Sequence, residues 1–369
     1  MHAANLVASL NAARSSLHFI GMGGPYLRAQ KNFESLFSIE ELSVMGATEV
    51  LRHLPRILGL LGRIKQTLAE RRPVALIVVD APSFHFRVIK AARQLGIPVY
   101  YYISPKVWAW NESRAFFIKK NVRRLISILP FEVAFYKRFG VDIDYVGNPL
   151  VDMIDWPRIK DIAPLQGKIG LLPGSRMKEI TSLVPEFGKA ARILLQRLPH
   201  LSFHMVRAPN LALDDLQRVW PKDVPITFEP PDDRYAFMRS CQMLIAASGT
   251  VTFEAALTRT PALVTYKVSP LTFFLGKMLV KIPYASLSNI ILGKALFPEL
   301  LQHDCDGPKL AAKALEWLAP KGGVHPLESI REELADLAKL VGNPGATKRA
   351  ATVILNDFDA LQRETQGLS

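Results

Sequence analysis

Residues 168–179 read Lys-Ile-Gly-Leu-Leu-Pro-Gly-Ser-Arg-Met-Lys-Glu, and this stretch decides the fold class. An apolar run breaks at Pro173-Gly174-Ser175-Arg176, and from Glu179 to Leu198 apolar residues recur at helical spacing. Strand, tight glycine turn and helix form the unit from which parallel sheets with flanking helices are built. The unit recurs in both directions. Strand candidates stand at 17–24, 75–80, 99–104, 124–130 and 143–149, then at 168–175, 201–208, 225–229, 241–248 and 261–268. They are rich in β-branched or aromatic residues and most end in Gly, Pro, Asp or Ser. Helical patterns at 84–95, 131–139 and 250–257 lie between them, and 308–364 reads as helical throughout. The proline-punctuated polar stretch 151–166 separates the two series. The prediction is an α/β protein of two doubly wound, Rossmann-like parallel-sheet domains facing a cleft. Residues 1–155 would form the first, 156–345 the second, and 346–369 a terminal helix packing back on the N-terminal domain. The chain opens inside a helical pattern, so the first strand and loop of the N-terminal domain are expected to be missing.

The 369 residues suffice for two domains with real cores. With 49% hydrophobic and 21% charged residues, a disordered or fibrous chain is excluded. Cys241 and Cys305 make neither a metal-ligand spacing nor a disulfide framework, which points to a reducing compartment. No run of 18 uncharged apolar residues exists, and residues 1–15 carry no leader pattern. The net charge of +13 is lopsided: residues 1–150 hold 20 basic against 10 acidic side chains. Such a surface suits an anionic partner: nucleic acid, acidic lipid or a phosphorylated substrate.

Several short motifs carry chemistry. At Gly174, Ser175 and Arg176 a strand-end turn lets backbone N–H groups approach a phosphate, and Arg176 can add a bidentate contact; an ordinary strand-to-helix turn is the plain alternative. Ser248, Gly249 and Thr250 repeat the arrangement, with Glu254 one turn into the next helix. That carboxylate can accept hydrogen bonds from a ribose diol or merely complement the helix dipole. Together the two turns suggest a nucleotide diphosphate without a Walker lysine or a G-x-G-x-x-G. Asp80 closes an apolar strand, where it is either a general base or a helix N-cap or turn aspartate. Asn289 is either a satisfied loop amide or a sugar ligand. Residues 50–68 form a basic amphipathic pattern that includes Leu54, Ile57, Leu58 and Leu61. It fits either a membrane interface or a core-facing helix. Trp108 and Trp110 lie among further aromatic and basic residues at 100–124, a mixture suited to a lipid–water interface, to single-stranded nucleic acid, or to plain strand core followed by a basic helix.

The motifs in order resemble the bacterial lipid-A-disaccharide synthases, a GT-B glycosyltransferase family. The match is carried by Gly21-Met22-Gly23-Gly24-Pro25, Glu40-Glu41-Leu42-Ser43-Val44-Met45-Gly46, Asp80-Ala81-Pro82-Ser83-Phe84 and Tyr102-Ile103-Ser104-Pro105-Lys106-Val107-Trp108-Ala109-Trp110. It continues through Leu129-Pro130-Phe131-Glu132, Leu172-Pro173-Gly174-Ser175-Arg176, Ala247-Ser248-Gly249-Thr250, Tyr266-Lys267-Val268-Ser269-Pro270 and Ser286-Leu287-Ser288-Asn289. The resemblance implies a GT-B fold and condensation of UDP-2,3-diacylglucosamine with 2,3-diacylglucosamine 1-phosphate. The products would be a β-1,6-linked disaccharide phosphate and UDP. It implies a cytoplasmic enzyme, peripheral on the anionic inner face of the inner membrane of a Gram-negative bacterium, and leaves a homodimer open. Asp80 would be the base. Gly174, Ser175, Arg176, Ser248, Gly249, Thr250, Glu254 and Asn289 would bind the UDP-sugar, and Leu54, Ile57, Leu58, Leu61, Trp108 and Trp110 would face membrane or acceptor. No metal and no cofactor are expected. Three departures stand out: the family's Gly-Glu-x-Ser-Gly-Asp loop is absent before Met1, Asn148 stands where many relatives have His, and Ser288 where Pro often stands. The nearest rival is another GT-B-like transferase or a UDP-sugar epimerase with a soluble substrate. A nucleic-acid-binding protein would leave 174–176 and 248–254 unexplained, so no nucleic acid is expected as partner.

Overall fold

The computed structural model describes residues 1–41, 50–269, 273–274, 278, 282–319 and 326–365, with side chains of 50–54 and 365 outside the description. Residues 42–46 and Pro270 of the motifs above, and the side chain of Leu54, therefore lie outside the described residues. The chain divides into two compact units, Met1–Asp152 with Val341–Ser369, and Met153–Leu340.

In the first unit, β1 (Phe19–Gly23) and β2 (Phe33–Ser38) pair in parallel as a small sheet. β3 (Leu76–Val79), β4 (Val99–Tyr102), β5 (Arg124–Ser127) and β6 (Ile143–Tyr145) form a parallel sheet in that order. The register sets Val79 opposite Tyr102, so β3 and β4 end level with each other. The β4 tyrosines Tyr100 and Tyr102 are fully buried with Ile126, and the helix His2–Ala13 covers them with Leu6 and Leu10. The same core takes Ala350, Ala351 and Ile354 from the last helix, Ala346–Thr365. Asp152 fastens the start of that helix: one carboxylate oxygen accepts the Ala346 N–H at 3.3 Å and the other the Thr347 N–H at 3.1 Å. A carboxylate there satisfies orphan N–H groups and complements the dipole. Further along, Asp357 accepts from the Tyr100 hydroxyl at 2.9 Å and from Arg123 at 2.6 Å.

The second unit holds a six-stranded parallel sheet of order β12-β11-β10-β7-β8-β9. Its strands are β7 (Leu165–Leu172), β8 (Ser202–Val206), β9 (Thr227–Glu229), β10 (Cys241–Ala247), β11 (Ala262–Tyr266) and β12 (Glu299–Leu301). β10 is apolar throughout its buried length and lies at the centre, as a strand covered on both faces must. The chain leaves β7 toward β8 on one side and leaves β10 toward β11 on the other. β7 and β10 are therefore neighbours at a topological switch point, the place where open α/β sheets form a ligand crevice.

The parallel α/β architecture agrees with the sequence reading. The expectation of unbroken helix over 308–364 is corrected. The described residues there form Gly307–Leu318, Pro326–Leu340 and Ala346–Thr365. Gly342 and Gly345 take positive φ between the last two, where Pro344 also interrupts the helical bonding. Two strands, β2 and β12, escaped prediction. β12 is three residues long, and β2 is an edge strand with no apolar run.

Candidate active site

In the first unit Asp80 follows β3 directly. Its φ is +54°, that of Ala81 is +45°, and Ile103, after the end of neighbouring β4, has +62°. Three non-glycine residues in the left-handed region at one sheet edge are a concentration of strain, which is characteristic of functional sites. The Asp80 N–H donates to the Tyr102 carbonyl at 3.2 Å. The Asp80 carbonyl accepts from the Tyr101 hydroxyl at 2.9 Å and from His85 Nδ1 at 2.7 Å. Asp80 itself is exposed, and the helix Pro82–Gln94 that follows starts with no side-chain cap, so the capping alternative for Asp80 is not realised.

The loop after β4 is anchored by a group that composition and periodicity did not single out. Glu132 is fully buried and its carboxylate accepts from the hydroxyls of Ser104 and Ser127 and from the Trp108 indole N–H at 2.8 Å. Burial pushes its carboxyl above the usual range, against the opposing pull of those donors. The Tyr136 hydroxyl holds the Pro105 carbonyl at 3.1 Å.

Two of the expected membrane- or acceptor-facing positions, Trp108 and Leu61, need correction. Trp108 is 8% exposed, packed edge-on against Phe131 with its N–H spent on Glu132. Leu61 is 5% exposed, and Ile57 is half-buried. In the helix Val50–Arg71 the side chains of Leu60, Leu61 and Leu68 thus serve the core, while Leu58 remains 52% exposed. Its basic flank is partly neutralised, since Arg63 pairs with Glu41 and Arg71 with Glu34 at 3.1 Å. Trp110 is exposed, with the Arg114 guanidinium 4.4 Å above its ring, and Phe116 is exposed two residues beyond Arg114.

In the second unit both predicted turns lie at the switch point, one after β7 and one after β10. Gly174 has φ +103°, and a Cβ there would run into the Glu179 carboxylate. That carboxylate accepts from the backbone N–H groups of Ser175 at 3.1 Å and Arg176 at 3.2 Å, and from the Arg176 guanidinium at 3.0 Å. The backbone cradle expected at this turn is therefore filled from within as a capping box of the helix Met177–Arg197. The Arg176 side chain is 81% exposed and keeps further donors for an anion.

The second turn is open. Gly249 precedes the helix Thr250–Leu257, and among the described residues no side chain caps that helix and nothing lies within 4 Å of the Gly249 Cβ position. Glu254 is 5% exposed, and one of its oxygens accepts from Arg234 at 2.7 Å and from the Tyr235 hydroxyl at 3.0 Å. Burial raises the Glu254 carboxyl while Arg234 opposes the shift. Burial and the same carboxylate push Tyr235 up to about 12. The Arg234 guanidinium lies 4.8 Å from the Tyr235 ring centre. Asn289 is fully buried. Its amide donates to the Phe297 carbonyl at 2.8 Å and to Glu299 at 2.9 Å, and its oxygen accepts the Phe297 N–H at 2.9 Å. The loop reading describes it: Asn289 and Glu299 fasten the segment that carries Ser286, whose N–H also reaches Glu299 at 2.9 Å. The segment is tied to the open turn by Ser248 Oγ to the Ala285 carbonyl and Ser288 Oγ to the Thr252 carbonyl, each 3.3 Å.

Arg234, Tyr235, Glu179, His85 and Tyr101 were not singled out for the site by sequence reasoning. Each acts on a partner 3 to 21 residues away in sequence, through contacts that periodicity does not register.

Known proteins resemble this chain in sequence and in fold. The family model for lipid-A-disaccharide synthetase matches residues 1–334. The lipid-A-disaccharide synthase of Trichlorobacter lovleyi is 36% identical over 364 residues, 96% of this chain and 94% of the relative. That of Myxococcus xanthus is 37% identical over 366 residues, 96% and 93% of the two chains. Among solved structures, the calicheamicin glycosyltransferase CalG4 superposes with a TM-score of 0.60 at 15% identity, covering 97% of this chain and 94% of that one. The UDP-GlcNAc 2-epimerase of Neisseria meningitidis gives 0.59 at 12% identity, covering 96% and 95%. The structural matches establish a shared fold, and the sequence matches go further: the chain belongs to the lipid-A-disaccharide synthetase family.

Proposed function

We propose that the protein is an inverting glycosyltransferase of lipid A assembly, joining UDP-2,3-diacylglucosamine to 2,3-diacylglucosamine 1-phosphate and releasing UDP. The observation that carries the reading is the pair of turns at the β7–β10 switch point, one exposing an arginine and the other an uncapped helix start. A diphosphate fits there: the guanidinium of Arg176 and the N–H groups behind Gly249 meet the charge that develops as UDP departs. Glu254, paired with Arg234 through one oxygen, offers its second oxygen to the ribose hydroxyls. Asn289 holds the neighbouring loop in place and leaves direct donor contacts to the loop backbone.

Asp80 takes the proton from the acceptor's 6-hydroxyl as that oxygen bonds to the anomeric carbon and the bond from that carbon to the UDP oxygen breaks. Attack from the face opposite UDP inverts the configuration. Both substrates carry acyl chains, so the enzyme works as a peripheral protein on the anionic inner face of the inner membrane. Leu58, Trp110 and Phe116 are among the exposed apolar groups of the first unit and suit such a surface. No helix among the described residues is long and apolar enough to cross a membrane. The rival reading, an epimerase or a transferase with a soluble substrate, matches the fold, whereas the sequence relatives named above are lipid-A-disaccharide synthases.

The test is a paired incubation. Acylated donor plus acylated acceptor is expected to give a disaccharide phosphate and one UDP per product by mass spectrometry. Epimerisation of UDP-GlcNAc without any acylated product would overturn the assignment.

A further inference from the structure

We propose that His85 and Tyr101 are positioning residues that clamp the Asp80 carbonyl and so hold Asp80 in the left-handed backbone conformation that presents its carboxylate at the end of β3. The inference rests on the reading of Asp80 as the proton acceptor.

Two consecutive non-glycine residues with positive φ place each Cβ against a carbonyl oxygen, and the chain relaxes unless its surroundings hold it. On one side Asp80 is held by its N–H, which continues the β3–β4 ladder to Tyr102. On the other side the carbonyl receives two side-chain donors, the Tyr101 hydroxyl at 2.9 Å and His85 Nδ1 at 2.7 Å. A carbonyl oxygen has two lone pairs, so these donors fill it. Both donors are well placed. Tyr101 is fully buried on β4, opposite Val78 in the register. His85 sits in the first turn of the helix Pro82–Gln94, with its ring edge-on to Tyr101 at 6.4 Å and to Phe84 at 6.0 Å. Because a carbonyl can only accept, Nδ1 carries the hydrogen. Both groups grip the main chain and leave the Asp80 carboxylate free for a substrate hydroxyl. Base, strained turn and clamp therefore form one device, in which the side chains fix the direction of the carboxylate without touching substrate.

The experiment compares Asp80→Asn, Tyr101→Phe, His85→Leu, His85→Asn and the Tyr101→Phe/His85→Leu double variant in the full chain. The double variant is expected to lower kcat about 10- to 100-fold, the scale of a displaced catalytic group. KM for the donor and the dissociation constant for UDP should stay at wild-type values. His85→Asn, whose amide N–H can occupy the place of Nδ1, should recover kcat to within a few-fold. In the Asp80→Asn background the clamp substitutions should cause no further fall. A double variant at wild-type kcat beside a crippled Asp80→Asn overturns the clamp alone. A further loss of the same size in the Asp80→Asn background also overturns it, because the two residues would then act elsewhere. Asp80→Asn at wild-type kcat removes the base reading itself and the clamp with it. Should the double variant fail to fold, Tyr101→Phe deletes a single oxygen and decides the same question, with an expected kcat loss of at least a few-fold.

Discussion

Replacing Arg234 by Met should destabilise the second unit in a pH-dependent way. Methionine keeps an apolar stem beside the Tyr235 ring and removes the cation 2.7 Å from the Glu254 carboxylate. Glu254 is almost wholly buried, while the arginine side chain is 39% exposed. Breaking a fully buried pair costs about 3–5 kcal/mol, and a hydrogen bond to a charged group contributes about 1.5–3. Solvent on the arginine side puts the expected loss near the lower range, about 2 kcal/mol. The sign of the pH dependence follows from burial, which holds the Glu254 carboxyl above its ordinary value of 4.5 in the folded state. The folded protein therefore binds this proton more readily than the unfolded chain. The cost of burying the charge is absent below pH 4.5 and grows as pH rises through the raised value. Removing Arg234 raises that value further. The stability difference between wild type and variant should be largest near pH 8 and shrink toward pH 5. Urea unfolding of both proteins at several pH values measures it. A difference below about 0.5 kcal/mol, or one that does not change with pH, would refute the assignment of Arg234 as the counter-ion of Glu254.

Asp80→Asn should cut turnover about 100-fold, the scale of general base catalysis, with UDP affinity unchanged by calorimetry. Arg176→Ala should weaken UDP binding by about 1.5–3 kcal/mol, and an unchanged dissociation constant would place the diphosphate elsewhere. Leu58→Ser should reduce binding to anionic vesicles without moving the unfolding midpoint, whereas the buried Leu61→Ser should cost at least about 2 kcal/mol of stability. Asp152→Ala should cost about 1–2 kcal/mol by leaving the start of the helix Ala346–Thr365 uncapped, seen as earlier hydrogen exchange of that helix.

The fold was legible where the chain has few options. Central β10 is apolar enough that only a doubly covered strand accommodates it, and Thr250–Leu257 was predicted to the residue. Strand order is not written in any local stretch. That β7 and β10 are neighbours depends on long-range pairing of Leu172 with Ala246. The site was legible as loops and less so as side chains. Gly174 announced itself because its turn needs a positive φ, but Glu179 filling that turn is a tertiary detail of a helix that begins beside it. The amphipathic pattern of 50–68 could not be divided into core and surface by spacing, because nine apolar positions spread beyond a single stripe. Only packing shows that Leu61 is inside and Leu58 outside. Asn289 illustrates the same limit: a polar residue in an apolar stretch signals a satisfied amide as readily as a ligand contact.

The most direct measurement is a crystal structure of the protein with UDP. The diphosphate should lie at the carboxyl ends of β7 and β10, with oxygens within hydrogen-bond reach of the Arg176 guanidinium and of the N–H groups that open the helix Thr250–Leu257. The ribose hydroxyls should lie against Glu254. A diphosphate at the opposite edge of the sheet, or a ribose remote from Glu254, would contradict the account.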